Sequence, residues 1–340
     1  MDAATADPRE MRLLNAFQRG FPLVGQPYAD VARALDADEA WVRERLGARL
    51  ADGTVSRIGA VLAPGAIGAS TLAALAVPPA RLAAVAASVS AHREVNHNYE
   101  REHAYNLWFV VTAASTAALA RVLDDIARET GLAPLALPLE REYWIDLGFD
   151  VTRDDVRGES RMRGSLAAAP LDDAQRALVA ALASGLSLST RPFADLARVA
   201  GQDEGRVLEQ LRDWLRDGTI KRFGVVLRHR AFGFVANAMC VWDVPDADVD
   251  AVGETLGREP GVTLCYRRRR APGWRYNLFA MLHGRDRAAV LARRAAIAAR
   301  LALDRHPHAV LFSRRAFKQR GADHFAVDTS RAAIATPAAA

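Results

Sequence analysis

The chain carries one pattern twice. Residues 27–68, PYADVARALDADEAWVRERLGARLADGTVSRIGAVLAPGAIG, return at 192–233 as PFADLARVAGQDEGRVLEQLRDWLRDGTIKRFGVVLRHRAFG, and the offset holds at 165 from Pro27/Pro192 through Gly53/Gly218 and Gly59/Gly224 to Gly68/Gly233. A length of 340 residues is more than one hydrophobic core usually serves. The duplication says how the length is divided, into two copies of one unit.

Each copy opens with a short helix, a turn and a second amphipathic helix. Val42, Leu46 and Leu50 repeat every four residues on one face of that helix, as do Val207, Leu211 and Leu215 in the second copy. A DGT stop and a β-rich stretch (VSRIGAVL, IKRFGVVL) follow. This is the pattern of a winged helix-turn-helix. Each copy then alternates strand, helix, strand, strand, helix, strand: TLAALAV, PPARLAAVAASVSAH, REVNHNY, AYNLWFVVT, STAALARVLDDIARET and LALPLEREYW in the first, with matching segments from ANAMCVWDV to HAVLFSRRAF in the second. That order is a ferredoxin-like βαββαβ unit. The expected class is therefore α+β, a tandem duplication of winged helix-turn-helix plus ferredoxin-like domain. The expected boundaries are 8–65 and 66–150 for the first copy, a polar linker at 151–173, 174–230 and 231–322 for the second copy, and a flexible tail at 323–340.

Composition excludes several function classes. No apolar run reaches the roughly 20 residues of a membrane helix, and MDAATADPRE lacks the basic flank and apolar centre of a signal peptide, so a cytoplasmic protein without a membrane partner is expected. Cys240 and Cys265 are the only cysteines and form no CxxC pair, which leaves neither a disulfide framework nor a cysteine-built zinc site. The net charge is +5, and lysine occurs only at Lys221 and Lys318, so the cations are nearly all arginine. Guanidinium forks suit carboxylates and phosphates alike.

The two copies differ most in the hairpin between their middle strands. In NHNYEREHAYNLWFVVT, residues 96–112, His97 and Tyr99 share one face of the incoming strand, and the turn carries Arg101 and His103. In the second copy Tyr266 matches Tyr99, Leu264 replaces His97, Trp274 replaces His103, and four arginines run from Arg267 to Arg270, with His283 downstream. One copy holds proton-transfer groups and the other cations, which suits a divided site better than a symmetric regulator. His92, His229, His306, His308 and His324 are expected to be incidental, Asn106 and Asn277 to be structural, and the spacing of His97, Glu100 and His103 matches no zinc signature.

The order of elements resembles the Lrp/AsnC regulators. Within that superfamily, HNYEREHAYNLWFV and CYRRRRAPGWRYNLFAMLHG resemble the hairpins of the two subunits of the siroheme decarboxylases, and LFSRRAFKQRG is similar to the last strand of the second subunit. The chain thus looks like the two subunits fused, as in the form that serves heme d1 biosynthesis. The resemblance implies removal of carbon dioxide from two acetate side chains of siroheme, giving 12,18-didecarboxysiroheme. It also implies an iron that arrives inside the substrate, one histidine as its axial ligand, and no separate cofactor or metal. On this basis His97 and His103 are the expected catalytic pair. Tyr99, Arg101, Tyr266, Arg267, Arg268, His283 and Lys318 are the expected substrate-binding residues.

Leu264 in place of a polar residue points to one working site per chain, and Trp144, where the family's last strand tends to carry a basic residue, points away from substrate contact by the first copy's end strand. The competing reading is a transcription regulator with a tetrapyrrole-sensing domain. Against it, the second helices mix Arg43, Arg45 and Arg49 with Glu39 and Glu44, and Arg206 and Arg212 with Glu209 and Asp213, where a DNA reader needs a basic face. DNA is not expected as a partner. The two halves are expected to form an internal pseudo-dimer, and a homodimer of whole chains is left open.

Overall fold

A computed structural model describes residues 7–145, 148, 150–152, 170–321 and 324–325, so the expected linker and tail lie largely outside the described residues. The first copy runs α1 (Pro8–Ala16), α2 (Pro27–Leu35), α3 (Glu39–Ala51), β1 (Val55–Leu62), β2 (Ala69–Leu75), α4 (Leu82–Ala91), β3 (Val95–Arg101), β4 (Leu107–Ala113), α5 (Thr116–Thr130) and β5 (Leu135–Ile145). The second runs α6 (Asp173–Leu182), α7 (Pro192–Ala200), α8 (Glu204–Asp217), β6 (Ile220–Leu227), β7 (Ala236–Trp242), α9 (Val249–Gly257), β8 (Val262–Arg268), β9 (Leu278–Gly284), α10 (Arg287–Arg300) and β10 (His308–Gln319).

Local chemistry sets the helix ends. Pro27 and Pro192 start α2 and α7, where a missing N–H costs nothing. Asp203 caps α8 by accepting from the N–H groups of Gly205 and Arg206, and Gly218, at φ 91°, ends it. Val42, Leu46, Val207 and Leu211 are fully buried in one apolar cluster to which both helix-turn-helix units contribute. The two wings join that cluster through each other: β1 and β6 pair antiparallel, with Gly59 opposite Gly224. A Cβ on Gly224 would lie 2.2 Å from the Phe17 carbonyl oxygen, so the connection after α1 can cross the wings only over a glycine.

The remaining strands close into one barrel in the order β10-β3-β4-β2-β5-β8-β9-β7. Closure comes from the last strand of each copy, which is long enough to serve both halves. β5 pairs with β2 through Leu135–Pro138 and then with β8 through Leu139–Ile145. β10 pairs with β7 through His308–Phe312 and then with β3 through Ser313–Gln319. With no edge left unpaired, the barrel interior belongs to both copies. Helices α4 and α5 cover the first copy's outer face on Val85, Val89, Val122 and Ile126, and α9 and α10 cover the second's on Leu256, Val290 and Ile297.

Asn106 and Asn277 are structural. Asn106 accepts from the Val77 N–H at 2.9 Å and donates to the Val77 carbonyl at 2.8 Å; Asn277 does the same with Val244 at 3.0 and 2.9 Å. Each ties the start of its copy's outgoing hairpin strand to the segment that follows β2 or β7. The Tyr-Asn-Leu-aromatic run is thus retained in both copies for packing.

Candidate active site

Inside the barrel, aromatic side chains fill the end at the hairpin tips. Trp274 from the second hairpin meets Trp108, Tyr105 and His103 of the first at ring-centroid distances of 5.0, 6.0 and 5.3 Å. The other end faces the helix-turn-helix units and is hollow, with an empty volume of about 1030 Å³ that includes open solvent at its mouth. Leu72, Met239, Leu264, Met281, Tyr99 and Tyr266 give it broad apolar and aromatic walls. Among the described residues that line it are two arginines, Arg101 and Arg230, three histidines, His97, His229 and His283, and no carboxylate. A hollow that bears cations and imidazoles without acids favours an anionic, largely apolar guest.

His97 stands on β3 opposite Gln319 of β10, so it is held at the seam where the second copy's last strand crosses to the first. Its Nδ1 is shut off from solvent and has no hydrogen-bond partner among the described residues. Burial, aided by the charge of Arg57, lowers its pKa to about 4. His283 is 6% exposed and fully engaged. The Thr263 hydroxyl donates to the Met281 carbonyl at 3.0 Å and therefore accepts from His283 Nδ1 at 2.8 Å, which leaves Nε2 to accept from Asn237 Nδ2 at 2.6 Å. That arrangement fixes a neutral tautomer, and burial first, Arg101 second, bring its pKa to about 4.

Arg101 is 7% exposed. It donates to the Leu311 carbonyl at 3.0 Å and to Asn237 Oδ1 at 3.3 Å, sits 5.8 Å from the Tyr99 ring centroid, and meets no carboxylate among the described residues. Burial lowers its pKa and raises that of Tyr99, whose phenol is pulled the other way by Arg101, Arg230 and Arg228. An uncompensated buried guanidinium is costly, and an arriving anion offsets that cost.

Of the residues expected from sequence, His97, Tyr99, Arg101, Tyr266 and His283 line this one hollow. The others do not. His103 belongs to the aromatic end, where its Nδ1 accepts from the Tyr105 N–H at 3.1 Å, because the turn carries it past the strand register that points His97 inward. Arg267 is held outside by Glu140, Asp246 and Asp250 at 3.0, 3.4 and 3.7 Å. Arg269 and Arg270 are likewise paired, with Glu140 and with Asp243 and Asp246. Arg268 turns inward but lies behind the wall, 4.6 Å from the Tyr266 ring centroid and donating to the Leu137 carbonyl at 2.6 Å. Lys318 points away from the barrel and donates to the carbonyls of Ser90 and His92 at 2.6 and 2.7 Å, at the C-terminal end of α4.

Sequence reasoning missed Asn237 and two neighbours on the short turn His229–Phe232, His229 and Arg230; His229 was taken as incidental. A signal existed. HRAFG in the second copy stands against PGAIG in the first, an asymmetry of the same kind that drew attention to the hairpins. Trp144 packs against the outer cluster of the second copy, away from the hollow. No cluster of three or more metal-ligating side chains occurs among the described residues.

Two sequence profiles match both copies: the AsnC-like ligand binding domain at 66–143 and 231–318, and the siroheme decarboxylase NirDL-like HTH domain at 10–55 and 175–220. The siroheme decarboxylase NirDL subunit of Paracoccus denitrificans is 45% identical over 322 residues, covering 94% of this chain and 98% of that protein. The chain belongs to the siroheme decarboxylase family. The fold agrees with that membership: the crystal structure of the siroheme decarboxylase NirDL aligns with a TM-score of 0.68 at 28% identity over 95% of this chain and 96% of that one. A second NirDL structure, in co-complex with an iron-uroporphyrin III analogue, aligns at a TM-score of 0.67, 27% identity and 95% coverage of both.

Proposed function

We propose that this chain removes carbon dioxide from two acetate side chains of siroheme, giving 12,18-didecarboxysiroheme, and that one cavity per chain does the work. The observation that carries the reading is the cavity itself, a hollow between two copies whose lining holds arginines and imidazoles, broad aromatic walls and, among the described residues, no acid. Siroheme is a flat macrocycle ringed by carboxylates and matches each of those features.

Each step breaks the bond between the acetate methylene and its carboxylate. Carbon dioxide departs, the electron pair remains on the methylene, and the macrocycle spreads it until a proton arrives; the balance is one carboxylate and one proton in, one methyl group and one carbon dioxide out. Arg101, with Tyr99 beside it, orients the reacting carboxylate, and His97 delivers the proton. A His97 pKa of about 4 makes it neutral in the empty cavity at pH 7, which departs from the near-neutral value that a proton donor wants. The polyanionic substrate supplies the remedy, since its carboxylates oppose the Arg57 charge and raise the imidazole's proton affinity. His283, held by Asn237 beside Arg101, polarises the same side, and Tyr266 shapes the wall. No separate cofactor takes part, and the iron is the substrate's own.

The arginines of the second helices argue against DNA as the partner. Arg49 is bound to Glu10 and Asp52 at 2.6 and 2.7 Å, Arg43 to Glu39 at 3.3 Å, and Arg212 donates to the Leu23 carbonyl at 2.6 Å. The wings that would flank a duplex are paired with each other. No described helix is long and apolar enough to cross a membrane. Anaerobic incubation of the purified protein with siroheme, followed by product mass, tests the proposal. Loss of two carbon dioxides per macrocycle supports it; a coloured complex with unchanged siroheme indicates a carrier, and a salt-sensitive DNA shift without siroheme binding indicates a regulator.

A further inference from the structure

The barrel contributes one arginine, Arg101, to a cavity meant for a substrate with many carboxylates. Two further guanidiniums stand on the helix-turn-helix side, Arg230 on the lining itself and Arg57 behind it, where its charge reaches His97. Arg230, on the turn that leaves the second wing, lines the cavity and is exposed; it has no ion pair among the described residues, and its charge reaches Tyr99. Arg57, on β1, is half-buried, and its guanidinium donates only to the Ala60 carbonyl of its own strand at 3.0 Å. Burial lowers its pKa with no described carboxylate to offset the cost. Its position is set by β10: a Cβ on Gly321 would lie 3.3 Å from Arg57 Cζ, two residues beyond Gln319, which lines the cavity and pairs with His97.

Both cations fall on the His97 side, and the duplication shows that this is divergence. The first-copy counterpart of Arg230 is Gly65. The counterpart of Arg57 is Arg222, which is turned into the helix-turn-helix core and donates to the carbonyls of Gln18 and Val225 at 2.8 and 3.2 Å. By contrast, Arg49, Arg267 and Arg270 are each tied to acids. Arg230 on the lining and Arg57 beside His97 have no acid partner among the described residues.

We propose that the paired wings form the carboxylate-binding floor of the cavity, with Arg57 and Arg230 each taking one peripheral carboxylate of the tetrapyrrole. The helix-turn-helix units then serve as substrate-binding modules, their wings turned from a polyanionic duplex to a polyanionic macrocycle. This assignment rests on the functional reading above and names residues that reading does not use as ligands.

The test is an absorbance titration of full-length protein with iron-uroporphyrin III over a range of salt concentrations, paired with siroheme turnover. Arg57→Gln and Arg230→Gln should each weaken binding by about 10-fold, the double variant by about 100-fold, and each lost charge should flatten the salt dependence. KM should rise more than kcat falls. Arg57→Lys, which keeps the charge, should recover most of the affinity, and Arg198→Gln on α7 should bind as wild type. Wild-type affinity and an unchanged salt slope in both glutamine variants would overturn the assignment. Arg230 is exposed, so its variant decides the matter even where Arg57→Gln fails to fold. Failure of the wild-type protein to bind the porphyrin removes the functional reading, and this assignment with it.

Discussion

Arg101 and Arg268 occupy the same place in the two copies, and their surroundings differ. Each stands two residues beyond a tyrosine and near its ring, and each donates to a carbonyl of the strand that closes the barrel, Leu311 of β10 or Leu137 of β5. Neither meets a carboxylate among the described residues. On the first side Asn237 and His283 form a cross-strand pair beside Arg101; the matching pair on the other side is Ser70 and Thr112. His97 corresponds to Leu264, and His229 to Pro64. The shared features build the barrel. The imidazoles gather on one side only, so the chemistry is assigned to that side.

Making the two sides alike should break the enzyme. His97→Leu copies the second side's residue into the first, and turnover of siroheme should fall by about 10²–10⁴-fold, the range expected for loss of a proton-transfer group. Binding of iron-uroporphyrin III should change by only a few-fold, because the imidazole is not the carboxylate ligand. Steady-state kinetics beside a titration separates the two effects. Turnover within a few-fold of wild type would return the proton to another group and dissolve the distinction between the sides.

Acid should reveal the same asymmetry without substrate. His97 and His283 have folded pKa values of about 4, below the ordinary value of 6.5. The unfolded chain therefore takes up protons first as pH falls. Stability is present in full above about pH 6.5 and is lost as pH drops toward 4, by roughly 3 kcal/mol for the buried His283 alone. Denaturant midpoints measured between pH 7 and 4 should show the decline, and His97→Leu should make it shallower. An equal slope in the variant would mean that the His97 ring is not held neutral by its surroundings.

Much of this was readable before any coordinates. The offset of 165 and the βαββαβ order were enough for the fold, since periodicity and turn residues are local properties. His97 and Tyr99 could be placed on one face because strands alternate, and Tyr266 by its match to Tyr99 in the repeat; Arg101, expected in the turn, instead ends β3 and shares that face. His103 could not, since it lies past the end of β3 where alternation no longer predicts direction. Arg267 adjoins Tyr266 on β8, so alternation itself turns it to the opposite face, and the acids that hold it there, Glu140 and Asp250, come from other elements. Arg57 and His229 were hidden for another reason: the partnering of the wings and the swap of β10 onto β3 are long-range, and nothing in the local sequence announces them.

A subtler comparison sets the two arginines against each other directly. Arg101→Met should weaken iron-uroporphyrin III binding by about 10- to 100-fold, as expected for a lost charge-assisted contact. Arg268→Met should leave affinity unchanged and the thermal midpoint level or higher, because a buried guanidinium without a carboxylate is replaced by an apolar chain of similar length. Calorimetry on both variants measures each outcome. Equal losses of affinity would show that the second side also holds substrate and that the cavity is functionally two-sided.

The smallest effect is expected at the hairpin tips, where His103 faces its own counterpart, Trp274, at a ring-centroid distance of 5.3 Å. Its imidazole also stacks with Tyr105 and accepts the Tyr105 N–H, so it behaves as one more ring in the barrel's closed end. Replacing it with another flat ring should therefore preserve what it does. His103→Phe should keep siroheme turnover within about twofold and cost about 1 kcal/mol of stability for the lost hydrogen bond. A drop in turnover comparable to that of His97→Leu would carry His103 back into the reaction, and would require the two histidines to act through the packed aromatic end that separates them.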